Sequence, residues 1–252
     1  MDTTIYAFML TFLAGLSATL GALTILFIKK KNDLIIIVSL ALSSGVMISI
    51  SIIDLIPNSL KLFNSIFTPI PSTLICLIFI VIGIIISMLI DKYLPDNKDI
   101  NNKSLYNVGL ISMIAIILHN IPEGIATFIS TEVNLKLGLN MAVAIALHNI
   151  PEGIAIAMPI YYATNKKSRG VMYSLISGLS ESLGAILAYL FFSFFIKDIV
   201  MAMLLSIISG IMLHISIYEL IPTSLSYKRA VVTMISILIG LILINISNIL
   251  IK

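Results

Sequence analysis

The chain has 252 residues, 59% hydrophobic and 11% charged, with a net charge of +3 and a mean hydropathy of +1.13. Soluble domains are nearer about 45–50% apolar and about 25% charged, so an ordinary soluble enzyme, a disordered chain and a disulfide scaffold are excluded. The single Cys76 permits no intrachain disulfide. An all-α polytopic membrane protein remains, because eight spans of roughly 20 residues each fill most of such a chain.

Taken in order, the apolar runs fall at about 5–28, 34–56, 72–90, 108–130, 139–162, 170–195, 200–221 and 230–250. The first follows Asp2 and has no basic leader, so it is expected to be a span and not a signal peptide. The longest connection, 91–107, is polar and rich in Asn, Asp and Lys. The loops after the first, third, fifth and seventh runs hold eleven Lys and Arg residues, and the other side holds four. That asymmetry places the basic loops in the cytoplasm and both termini outside. No Lys or Arg lies within a predicted span.

The chain repeats itself. Residues 15–22 (GLSATLGA) match 178–185 (GLSESLGA) at six of eight positions, and 44–57 (SGVMISISIIDLIP) match 209–222 (SGIMLHISIYELIP) at nine of fourteen. Five spans separate each matched pair, an odd number, so the partners run in opposite directions. That is an inverted repeat, whose substrate site is expected near the midplane. Between the repeats, 119–126 and 148–155 both read HNIPEGIA.

All three histidines (His119, His148, His214) and five acids (Asp54, Glu123, Glu152, Glu181, Glu219) fall inside spans. An ionised carboxylate at the bilayer centre costs on the order of 2.5–3.5 kcal/mol. With no basic residue to pair with, protons or a bound cation must supply the counter-charge. On a helix turning about 100° per residue, His119 sits near 0°, Glu123 near 40° and Asn120 near 100°. The carboxylate thus stands between imidazole and amide, able to bridge two cations, and His148, Asn149 and Glu152 repeat the pattern. Pro122 and Pro151 each deprive a preceding carbonyl of its helical donor, predicting kinks. Mixed nitrogen and oxygen donors suit Zn²⁺ and its transition-metal neighbours better than Na⁺, Ca²⁺ or Mg²⁺. The competing structural reading makes these groups hydrogen-bond glue between helices. Glu181 replaces Ala18 of the repeat on an otherwise small face and is expected to point into the bundle, as a ligand or as a structural or proton-handling acid. Asp54 and Glu219, each three residues before a Pro, read either as solvated helix-end acids or as cation-attracting groups at the outer and inner mouths. His214 reads as a pathway ligand or a hydrogen-bonded core residue.

The paired HNIPEG segments, the SGLSESLG segment and the SGxM…(D/E)LIP pattern resemble the ZIP family of metal transporters, over the whole chain. The short loops are similar to those of its bacterial ZupT branch. The resemblance implies one transmembrane domain in a 3+2+3 arrangement: repeat 1 about 5–90, a central pair 108–162 and repeat 2 about 170–250. It implies import of Zn²⁺, with Fe²⁺, Mn²⁺, Co²⁺ or Cd²⁺ as further cargo, through a binuclear site. His119, Glu123, His148 and Glu152 would form one half; Asn120, Glu123, Asn149, Glu152 and Glu181 would form the other. The chain departs from many members at Ser182, where they carry Pro, and 91–107 has no His.

The function expected is a non-enzymatic plasma-membrane importer of divalent transition metals. It needs no resident cofactor, since the metal is cargo. Its partners are metal cations, the lipid bilayer and, at most, a second copy in a homodimer; no nucleic acid is expected. The alternative is a proton or monovalent-cation antiporter using the intramembrane carboxylates. An intramembrane zinc hydrolase is disfavoured by the absence of HExxH.

Overall fold

The computed structural model describes residues 3–30, 32–93, 103–191 and 198–251, and among them there is no strand. Helix α1 (Thr3–Leu23) ends in a 3₁₀ turn, Thr24–Phe27. Helix α2 (Asp33–Ile50) passes through a π-helical turn, π1 (Ser51–Leu55), into α3 (Ile56–Asn64). Then come α4 (Pro69–Tyr93), α5 (Lys103–Val133), α6 (Leu135–Thr164) and α7 (Lys167–Leu190). Helix α8 (Asp198–His214) passes through π2 (Ile215–Leu220) into α9 (Ile221–Leu225), and α10 (Ala230–Ile251) follows. Most of the 91–107 connection lies outside the described residues.

Seven helical segments among the described residues are long and apolar enough to cross a bilayer, and α10 adds an apolar stretch over Ala230–Leu243. Their outer faces confirm the solvent they are built for. On α4, Ile70, Leu74, Leu77, Val81 and Ile85 are all exposed at three- and four-residue spacing. In water such a stripe would be an aggregation surface; in hydrocarbon it is the solvated face.

The prolines differ in the helical geometry around them. Helices α5 and α6 run unbroken through Pro122, Pro151 and Pro159. The irregular turns lie instead just before Pro57 and Pro222. Those residues have no N–H to give, and the preceding residue reaches back one position further: Ile56 N–H donates to Ser51 O, and Ile221 N–H to Ser216 O. Ser51 and Ser216 also donate to the carbonyls of Met47 and Met212, both at 2.8 Å. The second span therefore does not stop near 56, and α3 carries it to Asn64.

Two sets of helices emerge from the packing. Helices α1, α5, α6 and α7 pack on one another. In the second set, α2 packs on α10 and α4 on α8, while π1 touches α8 and π2 touches α2. The main seam between the sets is α2 against α6, where Ser43 Oγ donates to Pro151 O at 2.7 Å.

Candidate metal centre

One residue, Asn134, separates α5 from α6. Its side chain caps α6 by accepting from Lys136 N (2.9 Å) and Leu137 N (3.2 Å). The reversal is tight enough that His119, fifteen residues before Asn134, and His148, fourteen after it, come to similar depth. The glycine that ends each HNIPEG segment then sets how closely the hairpin seats. A Cβ on Gly124 would collide with the Glu181 carbonyl of α7, and one on Gly153 with the Ala18 carbonyl of α1. Backbone meets backbone directly after each motif glutamate, which carries Glu123 and Glu152 into the centre of the four-helix set.

There the structure brings three of the expected residues together. His119 Nε2 lies 3.0 Å from Glu123 Oε1, one turn along the same helix, and 3.8 Å from Glu152 Oε1 across on α6. His119, Glu123 and Glu152 are all buried. No Lys or Arg is buried among the described residues. Among those residues, no three His, Cys, Asp or Glu side chains stand close enough to enclose one ion as they lie. His148 is placed on α6, but its side chain lies outside the described residues.

The two asparagines are held by backbone. Asn149 donates to Ala14 O at 3.1 Å and to the Glu181 carboxylate. Asn120 donates to Ser177 O at 3.2 Å. Ala14 and Ser177 occupy matching places in the sequence repeat, and their carbonyls each take a second hydroxyl donor, Ser17 at 2.6 Å and Ser180 at 2.5 Å. A carbonyl can only accept, so each amide must turn its NH₂ toward the neighbouring helix and its Oδ1 away. Both Oδ1 atoms are buried without a hydrogen-bond partner among the described residues. Sequence reasoning singled out the asparagines but missed the groups that orient them. Ser17 and Ser180, identical in the repeat, were the available signal; a carbonyl acceptor leaves none.

Glu181 is fully buried on α7, as its small-faced surroundings predicted. Asp54 and Glu219 lie on π1 and π2, half-buried and not at helix ends. Asn58 donates to Asp54 at 2.6 Å. His214 is buried at the end of α8, its Nδ1 2.9 Å from Ser87 Oγ of α4 and its ring stacked on Tyr218.

Comparison with known proteins adds an independent finding. A family model described as ZIP Zinc transporter matches residues 95–248. Proteins named zinc transporter ZupT match along nearly all of the chain. The one from Clostridium perfringens is 35% identical, covering 98% of this chain and 96% of its own. The Campylobacter jejuni protein is 38% identical over 96% of this chain and 94% of its own. The Oceanobacillus iheyensis protein is 35% identical over 98% of each.

Proposed function

This chain belongs to the ZIP zinc-transporter family, a family of transporters and not of enzymes, and we propose that it imports divalent transition-metal cations, Zn²⁺ foremost. The observation that carries the reading is the buried group His119, Glu123 and Glu152, with no buried Lys or Arg among the described residues. Two carboxylates beside one imidazole in a bilayer need a positive partner, and nitrogen with oxygen donors selects a borderline metal.

The site takes two ions. His119, Glu123, His148 and Glu152 hold one; Asn120, Glu123, Asn149, Glu152 and Glu181 hold the other, with Glu123 and Glu152 bridging. The outward-turned Oδ1 atoms of both asparagines support the second set. Fe²⁺, Mn²⁺, Co²⁺ and Cd²⁺ satisfy the same donors less selectively. Asp54 and Glu219, part-way along their spans on π1 and π2, flank the ion path on its outer and inner sides, and His214 stands on the inner side.

The architecture proposed is eight spans in a 3+2+3 inverted repeat, with both termini outside in the plasma membrane. Paired contacts support it. Gly15 and Gly178 each abut the other's carbonyl. Ser59 donates to Ala202 O at 2.8 Å, and its counterpart Ser224 to Ile37 O at 3.2 Å. Ser59 faces Cys76 of α4 as Ser224 faces Thr233 of α10, which extends the pairing to the third span of each half. A membrane potential of ~100 mV, negative inside, favours influx of a divalent ion by about 4.6 kcal/mol, so no ATP-driven domain is needed.

The test is a metal panel on the purified protein in proteoliposomes. Zn²⁺ influx, reduced by competing Co²⁺ or Cd²⁺ and unaffected by Na⁺, is the expected result. Sodium or proton exchange without metal flux would establish the antiporter instead.

A further inference from the structure

We infer that Glu132 forms an outer cation-binding station, separate from the central site, that collects divalent metal ions before they descend. The inference rests on the import reading and on the orientation with both termini outside.

Glu132 ends the fourth span, two residues before the Asn134 cap. The start of α1, the end of α5 and the end of α7 meet there around a cavity of about 220 Å³, lined by Thr4, Phe128, Glu132 and Tyr189. Thr3 Oγ1 donates to Glu132 Oε2 at 3.3 Å. The other carboxylate oxygen, Oε1, is buried without a hydrogen-bond partner among the described residues. A half-occupied carboxylate at the edge of an apolar cavity is electrostatically incomplete. Thr4 and Tyr189 also carry hydroxyls, so among the described residues the polar side chains along the lining are all oxygen donors. That set fits a hydrated divalent cation held through one carboxylate and water.

The floor of the cavity separates this station from the central site. Phe128 packs edge-on against Phe8 at 5.0 Å and against Tyr189 at 6.3 Å, and Phe8 also meets Tyr189 at 5.8 Å. Nine residues of helix divide Glu132 from Glu123, about 13 Å of axial rise. An ion at Glu132 is therefore outside the aromatic cluster, in exchange with bulk water, while one at Glu123 is inside it. The outer carboxylate raises the local concentration of metal above the cluster without contributing to the inner ligand set.

Glu132→Gln keeps the shape and removes the charge. Equilibrium Zn²⁺ binding to the purified full-length protein should lose one weak equivalent in Glu132→Gln, while Glu123→Gln retains it. In proteoliposomes, the half-saturating external Zn²⁺ should rise about fivefold, as expected for one part-exposed carboxylate facing a cation. The change should fall on half-saturation and not on maximal rate. Glu132→Asp should recover most of the affinity, and Glu132→Lys should lower it further. Unchanged stoichiometry with half-saturation within twofold of the parent would overturn the station. So would a shift seen only when Zn²⁺ is titrated from the cytoplasmic face. Should the parent protein move no Zn²⁺ at all, the import reading fails, and the binding measurement still decides Glu132.

Discussion

Replacing Glu152 by Gln separates a ligand from a structural acid, because the two roles predict opposite signs for stability. Glu123 Oε1 and Glu152 Oε1 lie 3.0 and 3.8 Å from the same imidazole nitrogen, so they are at most about 6.8 Å apart. At an effective dielectric of ~20, two unit charges at that distance repel by about 2.4 kcal/mol. The metal-free protein must carry that cost or bind a proton to relieve it, and Glu152→Gln removes the need for either. The metal-free variant should therefore melt no lower than its parent. Metal reverses the balance: at a hundredfold excess over its dissociation constant, a bound ion stabilises the parent by about 2.7 kcal/mol. Even groups that only orient metal ligands are worth roughly 10–100-fold in affinity, so loss of a bridging carboxylate should weaken binding by at least about a hundredfold. The assay is thermal unfolding in detergent with and without Zn²⁺, beside initial uptake in proteoliposomes. Expected are an undiminished melting temperature without metal, a collapsed Zn²⁺-induced shift and no measurable uptake. A lower metal-free melting temperature together with near-normal uptake would refute the reasoning and make Glu152 a hydrogen-bonding strut.

Three other outcomes follow from the same geometry. His119→Ala leaves an oxygen-rich set and should shift uptake from Zn²⁺ toward Mn²⁺; an unaltered Zn²⁺ to Mn²⁺ ratio in competition uptake would remove His119 from the ligand set. Gly178→Val places side-chain atoms against the Gly15 carbonyl and should cost about 1–3 kcal/mol through helix separation, read as a lower melting temperature with reduced uptake; an unshifted melt would contradict the close approach. Lys98→Cys in a Cys76→Ser background should resist an impermeant thiol reagent in intact cells and react after permeabilisation; labelling of intact cells would reverse the assigned orientation.

Composition and charge exposed the membrane class because 108–130 and 139–162 are predominantly apolar and hold no Lys or Arg, and the helices found there, α5 and α6, extend only a few residues beyond each end. The i,i+4 spacing of His119 and Glu123 was enough to place both on one face, since helical periodicity is local. Three features escaped because they are not local. Proline alone does not say whether a helix kinks or absorbs the lost donor, and here Pro122 lies in a continuous helix while Pro57 follows a π turn. The residue-by-residue register of α4 against α10 in the proposed repeat could not be read from sequence, because interchangeable Ile, Leu and Val carry none. The contacts that support a register are Gly83 against the Ile207 carbonyl and Gly240 against that of Leu42. The orientation of Asn120 and Asn149 was equally hidden, since it depends on main-chain carbonyls of α7 and α1.

The central claim, passage of a divalent metal driven by the membrane potential through the Glu123–Glu152 site, is tested most directly by Zn²⁺ uptake into proteoliposomes at a series of imposed K⁺ diffusion potentials. The account predicts influx that grows as the interior is made more negative and is absent in the Glu123→Ala and Glu152→Ala proteins. Influx indifferent to potential, or retained in those variants, would contradict it.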